Sequence, residues 1–141
     1  MEDKRITKTK RALKSALLEL LTTQAFDAIS ITELCKIANV SRITFYTHYK
    51  DKFALLDDIF NDMLIIGKEG YHRRQEENNP ENNLTQGYLN VLDCILSLYY
   101  ERYDFFQHVV PETNPYLAFR FYRILLDTVE SHTDKLKASY S

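Results

Sequence analysis

The sequence predicts an all-α chain of about seven helices, a three-helix head with a helix-turn-helix followed by a helical body. Three observations predict it. Apolar residues recur every three or four positions, and no segment alternates apolar and polar side chains long enough to suggest a sheet. Three Gly and three Pro in 141 residues, with 45% hydrophobic content, argue against disorder. Cap residues stand where the spacing breaks, most clearly Ser30, Asn39 and Ser41.

The first helix is expected over residues 4–23, with Leu13, Leu17, Leu20 and Leu21 inward and a basic cluster from Lys4 to Lys14. That cluster reads on its own as a solvated face. Phe26 and Ile29 then close a small core against Leu34 and Phe45. Ser30 caps the second helix, and Glu33, three residues on, completes a capping box. Leu34, Ile37 and Ala38 share its inner face. Asn39 tolerates the left-handed backbone of a tight turn, Val40 plugs the space between helices, and Ser41 caps the third helix.

In the third helix Phe45 and Tyr49 sit four apart and pack inward, leaving Arg42, Ile43, Tyr46 and Thr47 outside. Such a face suits a DNA major groove, where Arg reads guanine and apolar groups touch thymine methyls. Thr44, His48 and Lys52 flank it as phosphate contacts.

The run Thr-Phe-Tyr-Thr-His-Tyr-Lys-Asp-Lys, residues 44–52, resembles the recognition-helix signature of the tetracycline-repressor-like (TetR/AcrR) family of bacterial transcriptional regulators. The likeness runs back through Lys10 to Phe26 and forward through Ala54, Leu55 and Leu56, so it covers roughly residues 5–65. Asn39 stands where the family more often has Gly, and Thr32 where some members place a longer base-reading side chain. The resemblance implies a repressor that binds a roughly palindromic operator in double-stranded DNA as a homodimer, and it sets beside the solvated face an equal reading of the Lys4 to Lys14 cluster as a segment lying near phosphates. It also implies release by an effector that changes the separation of two heads. Members typically continue with two further helices that form a four-helix dimer interface, whereas this chain stops at Ser141. Dimerisation is therefore expected on the outer faces of the fifth to seventh helices, through Leu96, Leu98, Phe119 and Tyr122. Rival readings are a helical protein-interaction or effector-binding module, and a DNA-binding protein of this fold without a small-molecule effector.

The expected domains are 1–52, the DNA-binding head, and 53–141, an effector-binding and dimerisation body, with two alternatives open: either the chain is a C-terminally incomplete fragment or the dimer is made otherwise. Asp51 caps a fourth helix with an apolar stripe of Phe53, Leu56, Ile59, Phe60 and Met63, running to about residue 74. The polar stretch 75–83 reads as a loop, with Asn79 as cap and Pro80 opening the fifth helix. That helix is expected to turn Leu84, Tyr88, Leu92, Ile95 and Tyr99 inward. A short sixth helix covers 104–110, and Asn114 and Pro115 start a seventh over about 116–136 with Leu117, Phe121, Ile124, Leu125 and Thr128 inward. The body is rich in aromatics, and Tyr88, Tyr99, Tyr103, Phe106 and Phe121 are candidates to line a cavity for an apolar or aromatic effector, with Glu101 or Asp104 favouring a cation.

The net charge of −2 conceals an asymmetry. Residues 1–52 carry ten Lys/Arg against six Asp/Glu, and residues 53–141 carry eight against fourteen, so the basic half coincides with the helix-turn-helix. Cys35 and Cys94 read as buried reduced thiols, and four scattered His residues support no metal site. No nucleophile arrangement or Gly-rich phosphate loop supports an enzyme or a cofactor. No apolar run reaches membrane-spanning length, so a cytoplasmic protein is expected.

Overall fold

A computed structural model describes residues 3–140, leaving aside the side chains of 136, 139 and 140. Among the described residues every regular element is helical: α1 (Lys4–Leu21), α2 (Ile31–Ala38), α3 (Arg42–His48), α4 (Lys52–Asn78), α5 (Leu84–Glu101), α6 (Tyr103–Phe106) and α7 (Pro115–Tyr140), with a 3-10 turn at Phe26–Ala28. Packing divides the chain into two compact units, one through Asp62 and one from Met63, so the division falls inside α4 rather than ahead of it.

The head is held at its helix ends by local bonds. Asp3 caps α1 by accepting from the Arg5 backbone N–H at 2.8 Å. Ser30 Oγ accepts from the Glu33 N–H at 3.1 Å while Glu33 Oε1 accepts from the Ser30 N–H at 3.2 Å, which satisfies two helix-end donors reciprocally. Asn39 takes the left-handed conformation (φ 55°, ψ 50°), and the Val40 N–H closes the turn on the Cys35 carbonyl at 3.0 Å. Ser41 caps α3 through the Thr44 N–H, and Asp51 accepts from the Ala54 N–H at 2.8 Å at the start of α4.

Between these caps lies an apolar core. Leu13, Leu17, Leu20, Leu21, Phe26, Ile29, Leu34, Phe45, Tyr49, Leu55, Leu56, Ile59 and Phe60 are all buried. Ile37, expected inward, is instead 40% exposed, and Cys35 is buried in its place. The periodicity explains the correction, because Ile31, Leu34, Cys35 and Ala38 follow the i, i+3, i+4, i+7 pattern of one helical face and Ile37 falls outside it. A polar clamp adds to the core: Lys14 Nζ reaches Asp62 Oδ2 at 2.6 Å and Asp58 Oδ2 at 3.2 Å, and Tyr49 Oη donates to the same Asp58 oxygen at 2.6 Å. Burial works against the Lys14 charge, but the bonds to Asp62 and Asp58 outweigh it and hold its pKa above the ordinary value.

The body departs further from expectation. α4 continues through Asn78, so the loop shortens to residues 79–83. Pro80 does not open α5, and the cap is Asn83, whose Oδ1 accepts from the Gln86 N–H at 3.0 Å. Asn79 is buried and brackets the loop, accepting from the Asn83 N–H at 2.7 Å and donating to the Asn83 carbonyl at 3.0 Å. The expected inner stripe of α5 is also displaced. Leu84, Tyr88, Leu92 and Tyr99 are exposed, whereas Gly87, Asn90 and Cys94 are buried.

The reason is a set of polar partners on α4. Asn90 donates to Gln75 Oε1 at 2.6 Å and Asn78 Oδ1 at 2.8 Å, and accepts from Asn78 Nδ2 and Gln86 Nε2, each at 3.1 Å. Arg74 donates to Cys94 Sγ at 2.9 Å and Ser97 Oγ at 3.0 Å. A buried amide with all its bonds made costs little, so α5 can pack its small and polar face. The sixth helix is shorter than expected and ends at Phe106. α7 opens at Pro115, after a buried Asn114 whose Nδ2 donates to the His108 carbonyl at 3.0 Å. Among the described residues no helix is long and apolar enough to cross a membrane.

Candidate nucleic-acid interface

The outer face of the helix-turn-helix is assembled around Arg42. Its Nη1 donates to Thr32 Oγ1 at 2.6 Å, a bond from α3 back to the first turn of α2, and its guanidinium carbon lies 6.0 Å from the centroid of the Tyr46 ring. One N–H of five is thereby used, and the rest of the planar fork remains for a bidentate contact. Ile43 is 82% exposed, too much for a core residue, and Tyr46 and Thr47 are exposed beside it. Thr47 Oγ1 donates to the Ile43 carbonyl at 3.0 Å. Phe45 and Tyr49 are buried behind this face, their rings 5.9 Å apart, so the helix is rotated as the sequence implied. Thr44 is half-buried, its hydroxyl accepting from Ser41 Oγ at 2.9 Å, and His48 is half-buried in the last turn.

Beside Arg42 lies an open cleft of about 610 Å³ lined by Thr32, Cys35, Lys36, Asn39, Val40, Ser41 and Arg42. Cys35 faces inward, its Sγ 3.9 Å from the Ser41 carbonyl. Burial pushes its thiol pKa up against the nearby Arg42 charge, so it is no ready thiolate.

Lys52 does not stand at the edge as a phosphate contact. Its Nζ donates to the carbonyls of Phe26 at 2.8 Å, Asp27 at 3.1 Å and Ile29 at 2.8 Å, which engages all three ammonium protons. The same atom lies 4.7 Å from the Phe26 ring centroid and 5.8 Å from that of Phe53. Burial holds its pKa below the ordinary lysine value despite the opposing charges of Asp27 and Glu33. A chain carbonyl left bare at the 3-10 turn needs a donor, and Lys52 supplies it. Sequence spacing carries no signal for a bond that spans twenty-three to twenty-six positions.

Residues 13–59 match the family model described as bacterial regulatory proteins, tetR family. The head is a tetR-family helix-turn-helix domain. An uncharacterized HTH-type transcriptional regulator, YxbF, from Bacillus subtilis (strain 168) is 40% identical over 58 residues, covering 41% of this chain and 14% of that protein. The chain thus spans a small part of that relative's length. No solved structure matches the chain.

The matched tetR-family segment holds all eight residues predicted for DNA: Thr32, Arg42, Ile43, Thr44, Tyr46, Thr47 and His48 around the outer face, and Lys52 in its separate place. The residues predicted for an effector lie outside it. Four of the five come together: the Tyr99 ring stacks on Phe106 at 5.6 Å and meets Tyr103 at 5.9 Å, and Phe106 meets Phe121 at 4.9 Å. Tyr88 does not join them. It sits eleven positions earlier on α5, about 16 Å along the axis, where its hydroxyl donates to Thr133 at 3.2 Å and its ring meets His132 at 5.8 Å.

Proposed function

We propose that this chain is a cytoplasmic DNA-binding transcriptional regulator, and a repressor, whose head enters the major groove with α3. The observation that carries the reading is the exposed set Arg42, Ile43, Tyr46 and Thr47, with the Arg42 fork held by Thr32 and Tyr46. Arg42 reads a guanine edge and Ile43 meets a thymine methyl. Thr44 and His48 position the helix on phosphates, with the exposed Lys36 and Lys50 supplying charge in place of Lys52. Two such heads read a roughly palindromic operator, since one helix of this size buries too little to be specific alone. An apolar or aromatic small molecule at the Tyr99, Tyr103, Phe106 and Phe121 cluster is the proposed releasing effector.

Fluorescence anisotropy with operator fragments, repeated over a salt series, tests the assignment. Arg42→Ala should cost about 1–3 kcal/mol on the cognate site and little on unrelated DNA. Lys52→Met should lower the stability of the head and leave the salt slope as it was, whereas a slope reduced by about one would return Lys52 to the phosphates. A head that retained its fold and bound no duplex at low salt would refute the function.

A further inference from the structure

We propose that Arg74 and Ser97 form an anion subsite between α4 and α5, one that takes the oxyanion group, carboxylate or phosphate, of a small molecule. It lies apart from the aromatic cluster proposed for an effector, whose rings join α5 to α6 and α7 rather than to α4. Nothing in the DNA-binding reading depends on it.

A guanidinium stays protonated at every working pH, and taking it out of water is costly unless an anion accompanies it. Arg74 is half-buried on α4, yet every acceptor it reaches is neutral: the Gly70 carbonyl at 3.3 Å, Cys94 Sγ at 2.9 Å and Ser97 Oγ at 3.0 Å. Among the described residues no carboxylate pairs with it, whereas Lys14 is met by Asp58 and Asp62, and Arg123 by Asp127. Cys94 does not supply the missing charge. Burial pushes its thiol pKa above the ordinary value against the pull of Arg74, so the sulfur is a protonated partner. Asp93 and Arg73, whose fields also reach Cys94, are exposed and opposite in sign, which leaves the positive balance to Arg74.

The seat of the guanidinium is shaped by α4 itself. A side chain at Gly70 would come 3.1 Å from Arg74 Nη1 and 3.7 Å from Cys94 Sγ. Glycine weakens the interior of a helix, and here its close approach lets the guanidinium lie across α4, whereas a side chain at Gly67 would meet nothing within 4 Å. The three bonds occupy at most three of the five N–H groups, and Nε makes none of them. Ser97 accepts from Nη2 and keeps its own O–H to donate. Guanidinium N–H groups beside a hydroxyl are the donor set that the paired oxygens of a carboxylate or phosphate accept from, and such charge-assisted bonds are the strong ones.

NMR titration of the isotope-labelled full chain without DNA, at an ionic strength held constant with sodium chloride, tests the subsite. Sodium acetate and inorganic phosphate are the probes. The expected result is a saturating shift of the Arg74 Nε–H and the Ser97 amide with a Kd on the order of 1–30 mM, as a ligand of a few atoms gives. The tighter probe identifies the group that the ligand carries, and either one supports the subsite. Arg74→Gln should abolish the shift at Ser97. Ser97→Ala and Gly70→Ala, the second of which favours the helix and crowds the guanidinium, should each weaken binding about three- to tenfold with unchanged far-ultraviolet circular dichroism. Arg123→Gln, whose charge is already paired with Asp127, should leave binding as it was. The melting temperature should rise by about 2–5 °C at saturation in the unaltered chain and not in Arg74→Gln. No saturating shift up to about 100 mM of either probe overturns the proposal. A shift that persists in Arg74→Gln overturns it too, since a general salt effect needs no arginine.

Discussion

The head and the body are both built of helices with buried apolar side chains, yet α5 of the body also buries a polar face. In the head the apolar faces of α1, α2, α3 and the first part of α4 turn inward, and polar side chains work at the ends as caps or at the edge as clamps. In the body α5 packs glycine, asparagine and cysteine against the amides and guanidinium of α4 and leaves leucines in solvent. The difference teaches that helical periodicity identifies the apolar face, while the available partners decide which face is packed. An apolar stripe can be left exposed, provided the polar face finds the bonds it needs within.

The sharpest test of this contrast is Phe45→Ala in the head. It deletes a fully buried ring and should cost about 3–5 kcal/mol in denaturant unfolding, enough to melt the helix-turn-helix. Asn90→Leu in the body should behave contrary to hydrophobic intuition and cost about 1–3 kcal/mol, because Gln75, Asn78 and Gln86 would lose their shared partner in a buried place. A midpoint raised by Asn90→Leu would show that the body face accepts an ordinary apolar core and would remove the contrast.

Acidification should separate the two units more gently. His132 is packed edge-on against Tyr71 and Tyr88, its Nε2 is buried without a hydrogen-bond partner, and burial together with Lys135 holds its pKa below the ordinary 6.5. The unfolded chain therefore takes the proton first, and body stability, complete above that value, falls as pH drops through it. Asp58 in the head has its pKa lowered: burial opposes the shift, but Tyr49 and Lys14 outweigh it, so its contribution persists until pH falls below the ordinary carboxylate range. Residue-resolved hydrogen exchange at about pH 7.5 and pH 5 should show protection lost in α5 and α7 and kept in α1 to α3, and His132→Phe should abolish the difference.

Much of the head was legible because its determinants are local. Ser30 with Glu33, Asn39, Ser41 and the Phe45 and Tyr49 pair each act within a few positions, so their spacing carries the information. Ile37 was misplaced by one step of phase on a helix of only eight residues. The body was legible in its helix content and in the inner face of α7, where Leu117 is buried, but not in the facing of α5, since the partners of Asn90 lie twelve and fifteen positions away and nothing in a stripe of leucines reports them. Asn79 and Asn83 are both plausible caps by composition, and only the bracket between them decides which one opens α5. In the site, the outer face of α3 followed from periodicity, while the Thr32 bond to Arg42 and the engagement of Lys52 required the folded chain.

The reach of these bonds also sets an order of events. The helix-turn-helix is fixed by contacts spanning three to five residues, from Ser30 to Glu33 at the start of α2, Cys35 to Val40 across the turn and Ser41 to Thr44 at the start of α3, and such contacts close with little loss of chain entropy. The body is tied by Tyr88 to Thr133, forty-five residues apart. As the polypeptide leaves the ribosome, the turn can form while α7 is still unsynthesised, so the surface proposed to touch DNA is shaped before the body has its last helix.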